Sequence, residues 1–406
     1  MMRRERAAGI NSGSHYTVLF FSAYFIYYAA YCVFSSYTVL FLTERAYSAT
    51  VCGIITSLTF LANLLMEPVG GYITDTFLPT RRYLLLLIGM ISALCIFCTK
   101  YMDQLDHASW DGPVCRDRLS VQSADGCLGQ YQPGKQPDLI YSRVRAGGSI
   151  GYAVMSVIGG YYFKHRGWDG YFLVQMVIFL FMIPFLLLLP DTSLGNRRKR
   201  EEKEKSLSFF QAFRTLVQNR RFLFWLGIIT FYWFSHRLVG SFLSLIIVEL
   251  GGDAETYGNV CGAGAAVEFA GLMLLAFAWK KKNSHALLGM AIALITNLLR
   301  PLCFLLFSGT WALYLGQMLQ CASFAFYMSV SVECFAEAAD ERLRSFSISM
   351  GLTVSSVVGT VLANLVGGRL CDMFHPGILI LVSLAVGILN LGVFFFRLPH
   401  RCVRTH

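Results

Sequence analysis

Charge is scarce in this chain. Of its 406 residues only 14% are Asp, Glu, Lys or Arg, whereas soluble domains carry about 25%. A soluble enzyme of this length is excluded. No nucleophile stands clustered with a base, so no enzyme and no cofactor is expected. The twelve cysteines form neither a ligand set nor a disulfide framework. Most lie inside apolar runs, such as Cys32, Cys52, Cys95, Cys98, Cys261, Cys303 and Cys321, and read as small core residues. No small-residue cleavage site follows the first apolar run, so that run is expected to be retained.

Apolar residues are abundant, at 55%. Segments of about 20 apolar residues cross a bilayer as helices, because lipid offers no partner for backbone N–H and C=O groups. The spacing predicts spans at Tyr16–Leu42, Val51–Thr74, Tyr83–Thr99, Ala146–Phe163 and Tyr171–Leu189. After a charged linker at Asn196–Lys205 and an amphipathic piece at Leu207–Val217, six more follow: Phe222–Leu250, Tyr257–Trp279, Ala286–Phe307, Trp311–Ala336, Ser345–Cys371 and Gly377–Phe396. The expected class is an all-α polytopic membrane protein. Residues 1–190 form one bundle, 191–220 a cytoplasmic linker and 221–406 a second bundle.

The net charge of +10 does not imply nucleic acid. Its basic residues fall between spans, as the positive-inside rule requires. This places both termini in the cytoplasm and the chain in the cell (inner) membrane, with the lipid bilayer as partner and a monomer as the expected state. One conflict follows. The third span must end outside, yet Arg143 and Arg145 mark an inner face, and residues 100–142 hold no apolar run that could cross between them. A slip of the reading frame over residues 103–137 would restore a fourth span. The other account is a true outer domain with Cys115 bridged to Cys127.

Ions inside spans are costly, about 2.5–3.5 kcal/mol each on insertion scales, and usually face the bundle interior. Glu67, Arg145, His236, Arg237, Glu268 and Arg300 are of this kind. Glu268 and Arg300 suit an ion pair across neighbouring helices, either static or a proton carrier tuned by its cation. Arg145, with Gly147, Gly148, Gly151 and Tyr152, offers a guanidinium fork and a ring on one helix face, suited to a sugar or an aromatic ring. The glycines serve either tight helix packing or the approach of a ligand. Tyr24 and Tyr28 of the first span either line the same cavity or belong to the core, and His236 reads first as a satisfied core histidine and otherwise as a residue of that cavity. The stretch from Gly53 to Arg82 reads as a helix ending at Gly70-Gly71. Gly71 allows close approach, Asp75 accepts from a neighbouring helix end, and Arg81 and Arg82 mark the cytoplasmic face as part of a gating loop or a plain topological one.

In order and spacing these motifs resemble the major facilitator superfamily, and within it the lactose-permease-like and phenylpropionate-permease-type proton symporters. Gly53, Pro68, Gly71 and Asp75 are similar to the permease's second helix and first loop. Arg143-Val-Arg145, Gly148, Gly151 and Tyr152 are similar to its fifth helix, Gln317–Gln320 with Ser323-Phe324-Ala325 and Glu341-Arg342-Leu343-Arg344 to its tenth helix and loop, and Gly367–Asp372 to the end of its eleventh. The resemblance implies two bundles around a central cavity. It makes Arg145 a solute ligand and Tyr152 a stacking ring. The permease's fourth-helix acid has no counterpart, and its tenth-helix His and Glu fall on Ala322 and Ala325, leaving Glu268 and Arg300 for coupling. The implied function is proton-coupled symport of a small sugar, nucleoside or aromatic acid. A non-transporting sensor or scaffold on the same fold, or an inactive frameshifted product, is the alternative.

Overall fold

The computed structural model describes residues 2–101, 139–188, 209–278, 286–307 and 309–397. Residues 102–138 of the anomalous segment, the charged linker at 196–205 and Lys280–Lys282 all lie outside the described residues. Those described are helical, with no strand among them. In chain order the helices are α1 (Met2–Ser36), α2 (Thr38–Glu44), α3 (Ala49–Thr76), α4 (Thr80–Tyr101), α5 (Leu139–Arg166), α6 (Tyr171–Leu188), α7 (Phe209–Gln218), α8 (Arg220–Ser241), α9 (Leu243–Glu249), α10 (Ala254–Ala278), α11 (Ala286–Leu306), α12 (Thr310–Glu337), α13 (Arg344–Met373) and α14 (Ile378–Arg397). Eight are long and apolar enough to cross a membrane among the described residues, and Ala49–Leu61 is a shorter apolar stretch. The protein has the fold of a multi-pass membrane bundle.

Three expected elements differ. The first span breaks after Ser36. There the Thr38 hydroxyl donates back to the carbonyl of Phe34, and Tyr37 donates to the carbonyl of Ser156 on α5. Side-chain bonds of this kind compete with the helical ladder. The span expected at Phe222–Leu250 breaks at Phe242, just past Gly240-Ser241, a pair that commonly marks a kink. The helix expected to end at Gly70-Gly71 runs on to Thr76. Each glycine costs it only about 1 kcal/mol, less than unpaired backbone groups cost away from water. Phe77 and Leu78 N–H then close it on the Ile73 carbonyl. Asp75 is therefore helical, and Arg81 and Arg82 stand in the first turn of α4 rather than in a loop.

The chain divides into two compact units. The first comprises Met1–Arg45 and Ala62–Lys203, the second Ala46–Leu61 and Glu204–His406. In the first, α1 packs on α5 and α6, and α4 on α6. In the second, α12 packs on α10, α11 and α13, and α8 on α13 and α14. The opening of α3, residues 46–61, belongs to the second unit.

Candidate functional site

In the first unit the expected residues stand on α1 and α5. The Tyr24 and Tyr28 rings stack at 6.2 Å and 17°. Tyr24 is buried and Tyr28 half-buried. The glycines of α5 face α1: a Cβ on Gly151 would lie 2.1 Å from the Phe25 carbonyl oxygen, and one on Gly147 2.6 Å from that of Phe21. Gly148 lies against the Tyr28 ring. Of the two roles open to these glycines, tight helix packing is the one seen. Tyr152 is held by its hydroxyl, 2.5 Å from Ser36 Oγ. Arg145 sits on α5, but its side chain, like those of Glu67 and Asp75, lies outside the described parts.

The second unit builds a polar and aromatic cluster on α8, α11 and α12. His236 is 6% exposed, and its Nδ1 lies 3.4 Å from Asn297 Oδ1. Asn297 Nδ2 donates to Ser235 Oγ at 3.3 Å, which leaves the amide oxygen facing the ring, with Nδ1–H as donor and Nε2 as acceptor. Tyr232 stacks on His236 at 5.7 Å and on Tyr327 at 4.7 Å, both at 13°. Its hydroxyl meets Ser323 Oγ at 2.9 Å, and Trp233 Nε1 donates to Tyr327 Oη at 2.8 Å. The Arg237 guanidinium lies over the Trp233 and Phe60 rings, 5.2 Å from each centroid.

Arg300 of α11 lies within electrostatic reach of Tyr232 and His236 in this cluster. It is 2% exposed, yet Nε, Nη1 and Nη2 have no hydrogen-bond partner. The Phe304 ring centroid is 6.0 Å away. Pro301, next along α11, has no N–H to give the carbonyl of Asn297. The expected hydrogen-bonded pair with Glu268 is not formed. Glu268 is half-buried on α10, and α10 and α11 each pack chiefly on α12. Neighbours in sequence are thus not neighbours in space. Glu268 and Arg300 still act electrostatically on the same group, the Tyr232 hydroxyl. Tyr232, Asn297 and Tyr327 were not singled out from the sequence. The available signal was Asn297, a polar residue one turn before Arg300 in an apolar helix.

A second feature of this unit joins α3 to α13. Both oxygens of Asp372 accept backbone N–H groups, from Ala49 and Thr50, at 2.8 Å each. Beside it, a Cβ on Gly53 would lie 2.2 Å from the Asn364 carbonyl oxygen, and one on Gly368 2.4 Å from that of Ala49. The sequence carries the hint twice, as Gly-Gly-x-x-x-Asp at Gly70–Asp75 and at Gly367–Asp372. Among the described residues no group of three or more His, Cys, Asp or Glu is placed to hold a metal ion.

Comparison with known proteins places this geometry. The model of the MFS_1 like family matches residues 126–382, more than half of the chain. No curated relative matches the sequence. Among solved structures, the nucleoside transporter NupG has a TM-score of 0.80 at 12% identity, covering 94% of this chain and 98% of that one. The POT family transporter PepTSo has 0.72 at 11%, covering 97% and 99%. A D-xylose-proton symporter has 0.67 at 13%, covering 93% and 96%. At such identities the likeness is one of fold. The family match is broader evidence, and with it the chain belongs to the MFS_1 like family, a major facilitator superfamily transporter rather than an enzyme.

Proposed function

We propose that the protein is a proton-coupled symporter, a monomer in the cell membrane with cytoplasmic termini, moving a small sugar, nucleoside or aromatic acid by alternating access. The observation that carries this reading is the pair of ionisable groups inside apolar helices of one unit. Glu268 is half-buried on α10 and Arg300 fully buried on α11, both within electrostatic reach of Tyr232. Buried carboxylates within reach of a cation can gain and lose a proton as the surroundings change. In this reading Glu268 carries the proton and Arg300 sets the field around it. Arg145, Tyr152, Tyr24, Tyr28 and His236 contact solute. Gly71, Asp75, Arg81 and Arg82 serve the gate.

The coupling role is tested by Glu268→Gln in proteoliposomes. Uphill uptake driven by a pH gradient should be lost, while exchange of solute down its own gradient persists. Undiminished proton-driven accumulation sinks the role. Arg145→Ala should weaken solute binding at least ~10-fold, the loss expected for a charge-assisted hydrogen bond. Unchanged affinity would remove Arg145 from the site.

A further inference from the structure

We propose that the solute is an organic carboxylate and that Arg300 binds its anionic group. This deepens the symport reading and rests on it. An ion taken out of water needs a counter-charge and hydrogen bonds, or its burial opposes folding. Arg300 is buried to 2% exposure and bonded through none of its three nitrogens. The carboxylate the sequence suggested for it, Glu268, does not make that bond. A second guanidinium, Arg237, lies within electrostatic reach of it and supplies no counter-charge.

Room for part of that anion exists beside Gly240. A Cβ built there meets a single neighbour within 4 Å, the Nη1 of Arg300 at 4.0 Å. Gln317 is buried, and its Oε1 also lacks a partner. A neutral sugar would occupy donors but leave the guanidinium charge unanswered. A carboxylate answers both, through two parallel N–H···O bonds. Co-transport of this anion with one proton on Glu268 moves no net charge.

The first test needs no ligand. The purified protein, Arg300→Met, Glu268→Gln and the double variant are compared by thermal unfolding. Arg300→Met should unfold at a higher temperature than the parent, and by the same increment in the Glu268→Gln background. An increment that is larger in that background than in the parent assigns the counter-charge to Glu268 and overturns the proposal, as does a destabilised Arg300→Met. The second test uses ligands. A panel of mono- and dicarboxylates, benzoate among them, is set against the amide of each, with chloride and phosphate as inorganic controls. At least one carboxylate should stabilise the parent where its amide does not. Arg300→Gln should weaken that binding about 100-fold, and Gly240→Val, which fills the gap with the arginine untouched, should abolish it. No response to any carboxylate, equal response to the amides, or full response to chloride alone overturns the proposal. Proton uptake on solute addition to proteoliposomes separates the two readings. Carboxylate binding without proton movement sinks symport and leaves the anion site standing. Proton movement with neutral sugars or nucleosides, and none with carboxylates, does the reverse.

Discussion

Gly151→Val should prevent the first unit from folding. On α5 a Cβ at this position would lie 2.1 Å from the carbonyl oxygen of Phe25 and 2.8 Å from its carbonyl carbon. Nonbonded carbon atoms prefer about 3.5–4 Å, so relief requires the two helices to part. Both obstacles are backbone atoms, and no rotamer change removes them. Parting α1 from α5 breaks the contact on which the unit depends, since α1 packs most extensively against α5. It also separates Tyr37 from the Ser156 carbonyl and Cys32 Sγ from Ser156 Oγ, 3.1 Å apart. Overpacking usually costs about 1–3 kcal/mol. Here rigid backbone meets rigid backbone, so the upper end or beyond applies, a large share of the roughly 5–15 kcal/mol that holds a native protein together. The yield of monodisperse protein after detergent extraction, and its unfolding midpoint, measure the effect. Gly89→Ala is the control, because nothing lies within 4 Å of a Cβ there. It should be neutral or gain up to about 1 kcal/mol from helix propensity. Equal losses at both positions would show that the Gly151 contact is not the cause.

The contrast between Gly151 and Gly89 also marks the reach of sequence reading. Helix positions were legible because lipid forces every backbone group to be satisfied within its own segment, so length and apolarity decide them. Tyr171–Leu189 was expected and Tyr171–Leu188 is seen; Ala286–Phe307 was expected and Ala286–Leu306 is seen. The breaks at Tyr37 and Phe242 were only faintly marked: Ser35-Ser36-Tyr37-Thr38 and Gly240-Ser241 interrupt the apolar runs there. So short an interruption does not by itself end a span, and at the first the Tyr37 hydroxyl also bonds the Ser156 carbonyl. In the site, His236 and Arg300 announced themselves as ions among apolar neighbours. Their surroundings did not. Tyr232 and Tyr327 read as ordinary span aromatics, and only the facing of α8 and α12 stacks them. The Glu268–Arg300 bond failed for a related reason. The chain order of α10 and α11 says nothing of the rotation of each helix about its axis, and that rotation decides which side chains meet.

The junction of α3 with α13 allows a charge contribution to be separated from a steric one. The first N–H groups of a helix have no partner within it and carry partial positive charge. Asp372, more than 320 residues away in sequence, accepts two of them, at Ala49 and Thr50. Asp372→Asn keeps an acceptor and loses the charge, while Asp372→Ala loses both. Cap removal costs about 0.5–2 kcal/mol, and the exposure of this carboxylate places it near the lower end. Gly368→Val acts on shape instead, driving a side chain into the Ala49 carbonyl oxygen, 2.4 Å from the Cβ position. Cys52 is a native reporter, fully buried one turn along α3. Its rate of maleimide labelling tracks the fraction of time this end of α3 stands away from α13. Asp372→Ala should raise that rate about 2- to 5-fold, as a cap of this strength implies, and Asp372→Asn by less. Both effects should shrink as salt is added to the parent, because an exposed charge is screened. Gly368→Val should raise it ~100-fold or more, as a clash near 3 kcal/mol requires. Labelling that is unchanged in Gly368→Val would mean that Cys52 is shielded by something other than α13. Equal labelling in the two Asp372 variants would mean that the hydrogen bonds survive in the amide and the charge contributes nothing.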